Sequence, residues 1–102
     1  MEDVPQEWEN QVVLYLVQAL LGLVSTNIYA ISVEVRPAFI ALHFAVRSNS
    51  EEFGEDLSDI IFELDALFDE SSPEIRSSVH VGQPDTDWVG RHFRLVYWAK
   101  YS

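Results

Sequence analysis

Cysteine is absent from this chain of 102 residues. That excludes disulfides, thiolate metal sites and a thiol nucleophile, and it suits a reducing compartment. Basic residues are scarce. Six Lys and Arg stand against seventeen Asp and Glu, for a net charge of −11. Such a field makes generic binding to nucleic acid or anionic membrane unfavourable. Glycine numbers only four, and no P-loop, dinucleotide fingerprint, HExxH or Ser-His-Asp order can be found. The longest apolar run, Val12 to Val24, is shorter than the roughly 20 residues a membrane span needs. It follows Glu2, Asp3, Glu7 and Glu9 with no Lys or Arg, unlike a secretion signal. The expectation is a cytoplasmic protein without catalytic residues, cofactor or metal.

What is present is enough apolar material for a core. Hydrophobic residues make up 48% and aromatics 13%, which argues against disorder despite the charge. The length fits one domain, 1–102. Asp3 with Gln6 forms a capping box, and periodicity predicts a first helix from about Val4 to Val24. Its second half is apolar almost all round, so it is central to the core or shared with another chain. Ile28 to Val35 and Phe39 to Arg47 alternate as a hairpin around Arg36-Pro37. Ser48-Asn49-Ser50 offers N-caps for a second helix ending near Phe68. Glu74 to Val81 and Arg91 to Tyr101 are further strands, joined by the loop Gly82 to Gly90.

The order α-β-β-α-β-β predicts an α+β fold: a four-stranded, mainly antiparallel sheet with both helices on one face. Strict alternation puts Tyr29, Ile31, Val33, Val35, Ile40, Leu42, Phe44, Val46, Ile75, Val79, Val81, Phe93, Leu95 and Tyr97 on the core face. The other face would carry Ser32, Glu34, Arg36, Phe39, His43, Arg47, Arg76, Ser78, His80, His92, Arg94, Trp98 and Lys100. Nearly every base lies in that second set. It reads either as a solvated face or as a groove, because Phe39, Val96 and Trp98 add apolar area. His43, His80 and His92 could bind zinc only if brought together in space, and no ligand spacing such as HxH occurs.

Charge is concentrated in "SEEFGEDLSDIIFELDALFDESSPE", Ser50 to Glu74, with ten acids and no base. The rest of the chain is nearly neutral, with seven acids against six Lys and Arg. On this helix Phe53, Leu57, Ile60, Ile61, Leu64, Leu67 and Phe68 share a core side. Phe62 points almost opposite, among acids. Such a face is either simply solvated or a surface that steers a basic partner and anchors it on an aromatic. Candidate partner-binding residues are therefore Glu55, Asp59, Phe62, Glu63 and Asp69. In the loop "GQPDTDWVG", Asp85, Asp87 and Trp88 join them if Trp88 is exposed; otherwise Trp88 folds back onto the sheet edge.

By size, lack of cysteine, the α+β order and the cluster "EEFGEDLSDIIFELDALFDE", the chain resembles the small acidic immunity proteins of bacterial toxin systems. These include the contact-dependent growth inhibition and colicin types. The resemblance implies a non-enzymatic inhibitor that neutralises one cognate toxin domain, a basic and nuclease-like one. The element order is also similar to that of acidic secretion chaperones, which act as dimers. A third reading is a small-ligand domain using the His/Arg sheet face. Monomer and homodimer both remain open.

Overall fold

A computed structural model gives the structure of the protein and describes residues 4–69 and 72–99. Helix α1 spans Gln6–Leu20 and starts at Pro5, whose carbonyl accepts from the backbone N–H of Trp8 and Glu9 at 3.0 and 3.1 Å. The capping box expected at Asp3 falls outside the described residues. The helix stops four residues earlier than its apolar run suggests. Leu23 N–H closes on Leu20 O, and Gly22 adopts φ +80°, a left-handed conformation that favours glycine. Strands β1 (Ile28–Val35) and β2 (Phe39–Val46) form the hairpin, locked by Arg36 N–H donating to Phe39 O at 2.9 Å. Helix α2 spans Glu51–Phe68 and is capped by Ser50, whose Oγ accepts from Phe53 N–H at 3.1 Å. This is the N-cap that the sequence offers. Strands β3 (Glu74–Val81) and β4 (Arg94–Trp98) complete the fold, with a short 3-10 turn at Val89–His92 before β4.

The fold is α+β with two helices and a four-stranded sheet, but the sheet is mixed rather than mainly antiparallel. Its order is β3-β2-β1-β4, and β3 runs parallel to β2. The reason lies in α2. A helical crossover between two neighbouring strands returns the chain to the end it left, so the second strand repeats the direction of the first. β4 then pairs antiparallel with β1 at the opposite edge. The connection from β3 to β4 must therefore pass from one edge of the sheet to the other.

One apolar cluster joins Val12, Leu16, Ala19 and Leu20 of α1, Phe53, Ile60, Leu64 and Phe68 of α2, and Ile31, Val33, Val35, Ile40, Leu42, Phe44 and Val46 of the hairpin. Ile75, Val79 and Tyr97 pack against it, and so does Val96, which alternation assigns to the other face. Two bulges alter the strand phase that strict alternation assigns. Between Ile28 and Ala30 the register shifts, so Ile28 enters the core opposite Val46 and Tyr29 joins Ala30, Ala45 and Trp88 on the other face. Between Ile31 and Ser32 a second shift places Leu95 opposite Ser32 and Arg94 opposite Val33. Leu95 is therefore 49% exposed rather than buried, and Arg94 reaches Glu9 and Asn10 of α1 at 3.4 Å. An extra residue on one strand exchanges faces for everything beyond it. Val81, also expected in the core, is exposed at the end of an edge strand, and Phe93 stacks on His43 instead.

Candidate partner-binding surface

Helix α2 divides as a 100° rotation per residue predicts. Phe53, Ile60, Leu64 and Phe68 are buried, whereas Phe62 is 72% exposed. Around Phe62 stand Glu55, Ser58, Asp59, Glu63, Asp65 and Ala66, all exposed, and Asp69 follows just past the helix end. The fold thus gathers Glu55, Asp59, Phe62 and Glu63 on one outward surface. Glu70 lies outside the described residues. Like charges at i,i+4 (Glu55 with Asp59, Asp59 with Glu63) each cost an isolated helix about 0.2–0.5 kcal/mol. Packing of the buried side has to offset that cost.

Helix α1 extends this surface with residues that charge reasoning passed over. Leu14 and Val17 are exposed, as is Leu21 just past the helix end, by 73%, and the three follow each other at i, i+3 and i+7 along one side. The helix is therefore not enclosed by the core, and the visible signal was its apolarity all round. A groove runs between the two helices, lined by Gln18, Ala19, Leu21 and Leu23 on one side and Asp59, Phe62 and Glu63 on the other.

The loop candidates lie elsewhere. Trp88 is 1% exposed and packs on Ala30 and Ala45 of the second sheet face, which removes it from the free surface. It is pinned there because the β3–β4 connection crosses that face. Asp85 and Asp87 are exposed on this connection and are not brought together with α2.

The arginines of the second sheet face are paired within the chain. Arg36 donates to Glu34 at 2.7 Å, and Arg76 donates to Glu74 at 2.6 Å while lying 3.8 Å from the centre of the Phe39 ring. Arg47 donates to Thr26 O and sits over Tyr29; Arg91 donates to Pro84 O. Every arginine among the described residues thus has a partner within the chain. His43 is 7% exposed, with Nε2 at 3.1 Å from Glu34 and Nδ1 at 2.7 Å from Ser78 Oγ. A carboxylate only accepts, so Nε2–H donates to Glu34, and Nδ1 shares a hydrogen bond with the Ser78 hydroxyl. The order Ser78–His43–Glu34 has the connectivity of a catalytic triad, but with the two ring nitrogens exchanged. Phe93, stacked on the ring at 5.1 Å, covers it. We read it as a bonded core histidine. Among the described residues no group of three or more His, Asp or Glu side chains is arranged to hold a metal ion, and no helix is long and apolar enough to cross a membrane.

Burial of Glu34 favours its neutral form, but hydrogen bonds from Arg36 and His43, with their charges, outweigh that and hold its carboxyl below the usual range. A carboxyl whose folded pKa is depressed contributes stability above its unfolded pKa and loses it as pH falls through the folded value. Denaturation followed from about pH 7 to about pH 3 should therefore show a steeper acid limb in the native chain than in Glu34→Gln. Superimposable limbs would show that Glu34 is not coupled to folding.

Residues 9–93 match the family model described as MafI2 immunity protein. No curated protein matches the chain significantly. A solved structure from work on the mode of action of CzrB, a zinc-transporter candidate, is 17% identical with a TM-score of 0.43, covering 79% of this chain and 98% of that one. A likeness at that level carries no argument about fold or metal.

Proposed function

The chain belongs to the MafI2 immunity protein family, and from that premise we propose that it neutralises a basic, nuclease-like toxin domain by binding it through the acidic outer face of α2. The observation that supports this reading is an aromatic, Phe62, exposed at 72% within a helix that carries acids and no base. Acids spread over one surface steer a basic partner into encounter, and a desolvated aromatic then holds it. In this reading both helices back the one sheet face that joins their cluster, so that α2 turns its charged side outward. Binding, not catalysis, is the activity, exerted in a bacterial cytoplasm by a single 1–102 domain. Asp69, beyond the helix, belongs to the rim of the surface.

The test is binding to the cognate toxin domain, with rates measured from low to high salt. The association rate should fall steeply with salt, and Asp59→Asn should slow association more than it speeds dissociation. Phe62→Ala should leave stability within about 1 kcal/mol and weaken the complex by about 2 kcal/mol or more. An association rate indifferent to salt, with Phe62→Ala binding as the native chain does, would sink the reading.

A further inference from the structure

We propose that the groove between α1 and α2 receives an amphipathic helix of the partner, one that carries Lys or Arg beside its apolar stripe. This rests on the immunity reading and names the element of the partner that the surface fits. The acids alone would not define a site, because a charge cluster can be merely solvated. Three features go further.

First, the groove has apolar walls on both helices. Leu21, 73% exposed, and Leu23 stand on the α1 side, and Phe62, 72% exposed, stands on the α2 side. Two large side chains held open to water at one place form an apolar patch and not a scattered residue. Second, apolar surface extends beyond the groove. Leu14 and Val17 of α1 lie outside the groove lining but are exposed, and they fall on the same side of the helix as Leu21 at its end, over about 10 Å at 1.5 Å per residue. Anchors repeated at i, i+3 or i+4 and i+7 on a docking helix match a strip of that length. Third, the rim selects the occupant. Asp59 and Glu63 flank the groove, and the segment Ser50 to Glu74 holds ten acids without a base. A second copy of this chain would bring the same acids face to face. A helix with lysines or arginines flanking its apolar stripe would neutralise them.

A lysine-rich amphipathic peptide with leucines at i, i+3, i+4 and i+7 is the probe, compared with the same peptide carrying serine at those positions. Titration into the isotope-labelled chain should move resonances of Leu21, Leu23, Asp59 and Phe62. The leucine peptide should bind about tenfold or more tightly than the serine one, and Leu21→Ser in the chain should remove that difference. Both Leu21 and Phe62 are exposed, so Leu21→Ser and Phe62→Ala should keep the native melting profile. With the cognate toxin domain, the two changes should be non-additive, because the side chains share one anchor. Equal binding of the two peptides overturns the groove in favour of a purely ionic contact. Leu21→Ser without effect on a toxin complex that still depends on Phe62 overturns the groove and leaves the immunity reading standing. Peptide binding as expected, with no binding of the toxin domain, supports the groove and overturns that reading. A dimer in sedimentation that Leu21→Ser dissolves assigns the face to self-association and overturns the proposal.

Discussion

Trp88→Ala should destabilise the fold by about 3–5 kcal/mol, the range for truncating a large buried aromatic. Trp88 is 1% exposed against Ala30, Ala45 and Tyr29. Those two alanines are small because the indole lies over them. Gly90 is equally constrained: a Cβ there would come within 2.3 Å of the Trp88 ring and 2.6 Å of Ser32 Oγ. The ring, the alanines and the glycine thus form one packed unit that fastens the β3–β4 connection across the sheet. Among the described residues neither Trp88 Nε1 nor Ser32 Oγ has a hydrogen-bond partner. A buried orphan donor costs about 1–3 kcal/mol, which should place the loss toward the lower end of the range. Urea denaturation measures it, and toxin affinity of the folded protein should not change. A loss under about 0.5 kcal/mol, as for a surface site, would mean that the connection is not docked. Weakened binding at unchanged stability would instead return Trp88 to the partner surface.

Leu42→Ala and Leu95→Ala should part company. Strict alternation puts both leucines on the core face. Leu42 is wholly buried within the main cluster, whereas Leu95, past the bulge at Ser32, is 49% exposed. The first change should cost about 2–5 kcal/mol and the second less than about 1 kcal/mol. Equal costs would show that β4 pairs without the bulge. Thermal or chemical unfolding of the two variants, measured side by side, decides between the registers.

The sequence by itself determined what depends on a few neighbouring residues. Ser50 ahead of an acidic first turn marks the start of α2, and the spacing of Phe53, Ile60, Leu64 and Phe68 sets its buried side. Phe62 is then turned to water by helix geometry alone. The bounds of β1 and β3 follow from alternation between turn residues. The concentration of charge on one helix is a property of composition, and the immunity resemblance followed from it. Tertiary structure alone decided what depends on distant partners. The parallel pairing of β2 with β3 and the placing of β4 at the far edge are outcomes of competition among strands that local sequence leaves equivalent. The two bulges move Ile28 inward and Leu95 outward, because register answers to the neighbouring strand and not to the strand's own pattern. Leu21 and Phe62 lie far apart in the chain, and only the packing of α1 on α2 makes them the two walls of one groove. The burial of Trp88 has the same origin: with β3 and β4 at opposite edges, the segment between them has to cross the sheet, and an indole in its path is covered by the crossing.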